Sequence, residues 1–128
     1  GHGIAVNACF VLGLDGDGPE VFDAVYDFVQ QARPFDVQVT ALTPFPGTPM
    51  YDRFLAEGRL LEPLAWERCS LFDVNFRPTH MSPEALQRDL VELGRRLYTD
   101  EQRAFRRRSL RAHRRHFLRE ARERRMTA

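Results

Sequence analysis

Apolar residues run from Ile4 to Leu12 with Asn7 as the one strongly polar interruption. A run this short and this continuous marks a parallel strand packed on both faces, so residues 4–13 are predicted to form a central strand. Behind Pro19, residues Val21, Phe22, Val25, Phe28, Val29 and Ala32 recur at helical spacing until Pro34 stops the pattern. That predicts a crossover helix of about four turns, with Asp17 and Gly18 ahead of its first residue. Residues 36–43 then alternate with period two and are rich in β-branched side chains, which predicts a second strand. Met50, Tyr51, Phe54 and Leu55 predict a short amphipathic helix closed by Gly58. Residues 60–71 show no period and carry Trp66, and Phe72–Arg77 reads as a further short strand. Ser82-Pro83-Glu84 combines a capping hydroxyl, a first-turn proline and an acid at the positive end of a helix. The apolar face of that helix is Leu86, Leu90, Leu93, Leu97 and Tyr98, and Asp100 restarts or extends it into an arginine-rich tail.

Alternation within the two strands sorts their side chains. Ala5, Asn7, Cys9 and Val11 share one face of the first, opposite Ile4, Val6, Ala8, Phe10 and Leu12; in the second, Gln38, Thr40 and Leu42 oppose Val37, Val39 and Ala41. A sheet that packs helices on one side turns its bulky face to them. Asn7, Cys9, Gln38 and Thr40 are then expected on a face that lines a cavity, or alternatively in a packed interior where they satisfy one another.

Each strand is followed by a distinctive loop, Gly13-Leu14-Asp15-Gly16-Asp17-Gly18-Pro19-Glu20 and Thr43-Pro44-Phe45-Pro46-Gly47-Thr48-Pro49. Both would lie at carboxyl ends of neighbouring parallel strands, where α/β folds place ligands. The first is no dinucleotide fingerprint, because its glycines are spaced G-x-x-G-x-G and Asp15 and Asp17 would repel a pyrophosphate. Those two acids suit a solvated turn better than a cation site. In the second loop three prolines hold Phe45 stiffly, either over a pocket or in the core.

Net charge is +1, but residues 1–99 carry −6 and residues 100–128 carry +7. The acidic body argues against a broad nucleic-acid face, and for the tail a solvated helix packing a thin stripe of Ala104, Phe105, Ala112, Phe117 and Ala121 is the favoured reading. All 19 basic residues are arginine, which reflects codon usage more readily than selection for guanidinium chemistry. The 2 cysteines, Cys9 and Cys69, supply neither a disulfide framework nor a zinc set, and Cys9 is expected to be an inert buried thiol. His113 and His116 sit one helical turn apart among arginines that would repel a metal, so no metal site and no catalytic residue is assigned. No membrane span or signal peptide is visible, and a cytoplasmic protein is expected. The first residue is Gly rather than Met, so the start of the reading frame is expected to be missing.

The run from His2-Gly3-Ile4 through Phe10-Val11-Leu12-Gly13-Leu14-Asp15-Gly16-Asp17, with Thr43-Pro44-Phe45-Pro46-Gly47-Thr48-Pro49-Met50-Tyr51, resembles the carboxyl-terminal part of radical S-adenosylmethionine enzymes. The subgroup with an amino-terminal cobalamin-binding domain is the nearest likeness. Phe76-Arg77-Pro78, His80-Met81-Ser82-Pro83-Glu84 and Leu97-Tyr98 also look like its segment after the barrel. The resemblance implies a (β/α)6 partial TIM-type barrel, whose fifth and sixth strands match residues 4–13 and 36–43. It implies S-adenosylmethionine and an iron-sulfur cluster in the full-length parent, with cobalamin left open, and none of these retained by this chain alone. Carried over by position, Val11, Gly13, Thr43 and Pro44 would border S-adenosylmethionine. Asp15 and Phe45 would face substrate or the cobalamin side, and Asn7, Gln38 and Thr40, on the lumen face that strand parity gives, would face substrate. The sequence departs from the family in lacking the Cys-x-x-x-Cys-x-x-Cys loop and the first four strands.

The expected organisation is therefore an α/β fragment. Residues 1–60 form the last two barrel units, 61–99 a post-barrel extension, and 100–128 a helical tail. Its function is to contribute one wall of a S-adenosylmethionine and substrate pocket, inactive alone, as a piece of a longer chain or a truncated gene product. Its partner is the missing amino-terminal barrel half, in the same chain or a separate one, together with the parent's small-molecule substrate. Two other classes stay open: a non-catalytic interaction module docking on a partner chain, and nucleic-acid binding through the tail. Marginal stability and self-association through bare strand edges are expected of the isolated chain.

Overall fold

A computed structural model describes residues 4–126, with side chains described as far as Arg119 and at Arg122. His2 and Gly3 of the quoted motif lie outside the described residues, and the side chains of Ala121, Arg124 and Arg125 lie outside those described. Strand β1 (Asn7–Leu12) pairs in parallel with β2 (Asp36–Ala41), from Asn7 opposite Asp36 to Leu12 opposite Ala41. Helix α1 (Val21–Ala32) makes the crossover, and α2 (Pro49–Ala56) follows β2. A single 3-10 turn at Trp66–Arg68 precedes α3 (Pro83–Leu97) and α4 (Asp100–Met126). The fold is α/β, two parallel strands joined by a helix and followed by a mainly helical extension.

The bulky face is buried along β2 but only at Leu12 on β1, where Ala8 and Phe10 are half-buried and Ile4 and Val6, ahead of the strand, are exposed. Leu12, Val37, Val39 and Ala41 join Phe22, Val25 and Val29 of α1 and Leu86, Leu90, Leu93 and Leu97 of α3 in one core. Helix α3 begins where its sequence says, the Ser82 hydroxyl accepting from the Ala85 amide at 3.1 Å with Pro83 at the first position. Helix α1 starts later than Pro19, at Val21, and has no side-chain cap. Asp17, just ahead of the expected helix start, is engaged by the loop: its carboxylate accepts from the Gly13 and Leu14 amides at 2.9 and 3.0 Å.

The two sheet edges differ. Odd-numbered residues of β2 turn their backbone away from β1, and these groups are paired. The Tyr98 hydroxyl donates to the Val37 carbonyl at 3.1 Å and accepts from the Val39 amide at 3.3 Å, while the Ala41 amide donates to the Leu71 carbonyl at 2.7 Å. The expected bare edge on this side is therefore closed. Along β1 the opposite holds: among the described residues no backbone partner lies on the outer side of Asn7, Cys9 or Val11.

Three expectations need correction. Residues 72–77 form no strand of their own but one antiparallel bridge, Leu60 to Phe76, because the Asn75 side chain takes both backbone groups of Glu62 while its carbonyl accepts from the Leu61 amide. Cys9 is not buried, since no layer covers the face it shares with Asn7 and Val11. Of the tail stripe, Ala104, Phe105 and Phe117 are half-buried whereas Ala112 is exposed. The first turns of α4 dock through the Gln30–Gln102 amide bond at 3.0 Å and the Arg33 guanidinium 5.1 Å from the Phe105 ring.

Removing the hydroxyl that closes the β2 edge leaves a donor and an acceptor unpaired. Tyr98→Phe is expected to lower unfolding free energy by about 1–3 kcal/mol in denaturant titration. A loss under about 0.5 kcal/mol would show that water replaces the hydroxyl.

Candidate functional site

Both loops stand at the carboxyl ends of β1 and β2, and their shapes follow from named contacts. Gly13 has φ +95°, and a Cβ there would lie 2.7 Å from a Leu86 methyl and 2.9 Å from the Phe76 ring. Only glycine permits both that backbone and that approach. The β1 loop is thereby pressed onto α3 and the segment before it.

Asp15 binds the same loop to α2 and the extension. One carboxylate oxygen receives Arg59 Nη1 at 2.8 Å and the Thr79 hydroxyl at 3.3 Å, and the other receives Arg53 Nη2 at 3.1 Å. Arg59 is itself held, donating to the Arg77 carbonyl at 2.9 Å and lying 4.1 Å from the Phe54 ring centroid. The Arg59 hydrogen bond, with the charges of Arg59 and Arg53 and the Thr79 bond, outweighs partial desolvation and lowers the Asp15 pKa. Asp15 thus joins three segments distant in sequence. Arg53, Arg59 and Thr79 carried no sequence signal beyond their type; the arginine excess was read as codon usage.

In the β2 loop, Thr48 accepts from the Tyr51 amide at 3.3 Å to start α2 and donates to the Phe45 carbonyl at 2.7 Å. Gly47 takes φ +84°. Phe45 is not in the core; it is 41% exposed. Pro44 is buried and the Thr43 hydroxyl donates back to the Ala41 carbonyl at 3.2 Å.

The residues proposed for the pocket therefore separate. Asn7, Cys9, Val11 and Gln38 are exposed on the uncovered strand face, with Cys9 Sγ 3.9 Å from Gln38 Oε1. Thr40, assigned to the same face, is buried, its hydroxyl donating to the Phe10 carbonyl at 3.3 Å. Gly13 is buried with its amide taken by Asp17. Val11, Leu14 and Phe45 leave an apolar rim exposed at the strand ends. Among the described residues no group of three or more His, Cys, Asp or Glu is placed to hold a metal, and no helix is long and apolar enough to cross a membrane.

A family model described as "Domain of unknown function (DUF4070)" matches residues 48–127, well over half of the chain. The chain belongs to this family. It is also 32% identical over 97 residues to the bacteriochlorophyllide d C-12(1)-methyltransferase of Chlorobaculum tepidum, a match covering 76% of this chain and 21% of that protein. A second relative, the hopanoid C-2 methylase of Rhodopseudomonas palustris, is 37% identical over 60 residues, covering 47% of this chain and 11% of the relative. The chain thus spans about a fifth or less of the curated relatives it matches. With these matches the resemblance drawn from the loops stands, to the carboxyl-terminal part of radical S-adenosylmethionine enzymes of the cobalamin-binding-domain subgroup.

Two measurements probe the loop contacts. Gly13→Ala, which forces a Cβ into Leu86 and Phe76 at a left-handed φ, is expected to cost about 2 kcal/mol or more in denaturant titration. Asp15→Asn is expected to cost under about 1 kcal/mol near neutrality, since the Asp15 carboxylate and Arg53 are half exposed even though Arg59 is largely covered. Asp15 has a lowered folded pKa, so its contribution is present above the ordinary carboxylate range and fades as pH falls through the folded value. Melting curves of the two proteins should therefore converge below about pH 4.

Proposed function

We propose that the chain supplies the last two β/α units of a radical S-adenosylmethionine methylase, forming one wall of the S-adenosylmethionine and substrate pocket. The observation that carries this reading is the asymmetry of the sheet. The outer edge of β2 is sealed by Tyr98 and Leu71, while the outer edge of β1 and the Asn7, Cys9, Gln38 face are bare. A sheet finished on one side and open on the other is built to continue from β1, and a barrel whose sixth strand is β2 and fifth is β1 needs that polarity.

Val11, Gly13, Thr43 and Pro44 at the strand ends would border S-adenosylmethionine, and Asn7, Gln38 and Phe45 would meet the substrate. Thr40 and Asp15 are better placed to hold the wall than to touch a ligand, because their polar atoms are already engaged. Exposed Val11, Leu14 and Phe45 suit an apolar substrate surface. Cleavage of S-adenosylmethionine requires an electron from an iron-sulfur cluster, and the 2 cysteines here do not fit a three-thiolate loop. The chain is therefore proposed to be inactive unless the remaining strands are joined to it. The methyl-transfer assignment follows from the names of the two relatives.

Anaerobic reconstitution with iron and sulfide tests the division of labour. The chain alone should bind no stoichiometric cluster and no S-adenosylmethionine. Co-expressed with a polypeptide holding the first four strands and the cysteine loop, it should co-purify, and only the pair should bind both. A cluster or S-adenosylmethionine bound stoichiometrically by the chain alone would overturn the proposal.

A further inference from the structure

A cavity of about 260 Å³ opens at the amino-terminal end of β2, the end opposite the two loops. Phe35, Asp36, Val37, Tyr98, Arg103, Arg106 and Arg107 line it. Arg106 is 1% exposed although it lies on an arginine-rich helix. Its Nη1 donates to the Leu97 carbonyl at 2.8 Å, capping the carboxyl end of α3, while its Nε has no partner. Burial lowers the Arg106 pKa, opposed by Asp36 and Tyr98 and reinforced by Arg103. Arginine stays charged under such a shift.

Among the described residues no carboxylate forms an ion pair with Arg103, Arg106 or Arg107. Asp36, the one acid at the cavity, bends back to accept from the Val37 amide at 2.9 Å. Tyr98 is occupied on the β2 edge. Three guanidinium groups at one cavity against one diverted carboxylate leave an excess of two positive charges. A buried donor without an acceptor is costly, and because the Arg106 Nε is closed off from the cavity space, a bound oxyanion would relieve it by drawing the guanidinium toward itself.

We infer that this cavity is a binding site for a phosphate-type dianion, free or as the monoester of a small alcohol, held by Arg103, Arg106 and Arg107. Guanidinium donors match phosphate oxygens in number and direction, and two positive charges match a dianion better than a single carboxylate. The volume accommodates a phosphate with a small organic group against Phe35 and falls short of the usual range for larger ligands. The site is independent of the radical-pocket reading, since it lies at the other end of the strands and needs none of the loop residues.

Isothermal titration calorimetry of the full chain, with sodium phosphate and glycerol 3-phosphate against chloride and acetate at equal ionic strength, tests this. Saturable one-to-one binding of phosphate or the monoester is expected below about 1 mM, and the tighter of the two identifies the natural form. Arg103→Gln with Arg107→Gln should weaken it by about tenfold or more while leaving the ligand-free melting midpoint unchanged. Arg106→Lys keeps the charge, loses the Nε donor, and should weaken binding as well. No saturable heat up to about 10 mM, an acetate isotherm equal to that of phosphate, or unchanged affinity in the double variant would overturn the site.

Discussion

The Tyr98 hydroxyl is the contact on which this fold most depends. Two parallel strands have two edges, and each exposed amide and carbonyl on an edge invites pairing with another chain. Here a single side chain bonds one carbonyl and one amide of β2, and the Leu71 carbonyl takes the next amide along. For the hydroxyl to reach that position, α3 must end beside β2, which the four leucines of its apolar face bring about by packing on Val37, Val39 and Ala41. Core packing and edge closure are thus one event, and the direction in which the sheet remains open follows from it.

The same helix disciplines the loop after β1. Leu86 near the start of α3 sits where a side chain at position 13 would have to go, so the loop is glycine there and lies flat against the helix. Asp17 then ties the loop backbone internally and Asp15 ties it outward to Arg53, Arg59 and Thr79. Individually such partly exposed pairs are weak. Together they connect the loop, α2 and the extension, so that the rim of the proposed pocket behaves as a single surface.

Periodicity made the elements legible. The β1, α1, β2, α2, α3 order, the buried parity of Val37, Val39 and Ala41 and the Ser82 cap follow from alternation, helical spacing and capping chemistry, all local properties. What escaped the sequence was long-range. Nothing near Asp15 announces Arg59, Tyr98 looks like one more residue of an apolar face, and Arg106 looks like one more charge in a solvated tail. Cys9 was misread for a related reason. Continuous apolarity implies cover on both faces, but continuous apolarity records the environment for which a strand is suited, and the cover on that face is not supplied by the described residues of this chain.

That error carries physical information about the chain. A strand with Val11 and Cys9 on an uncovered face is out of balance with its surroundings, as is a sheet with one sealed edge and one bare edge. Both imbalances mark surfaces that the proposed earlier strands of a barrel would cover. The sealed edge and the arginine cavity lie at β2, while the first turns of α4 dock on α1. The extension therefore finishes the structure at its last strand and leaves its first one open, the asymmetry on which the proposed place in a larger barrel rests.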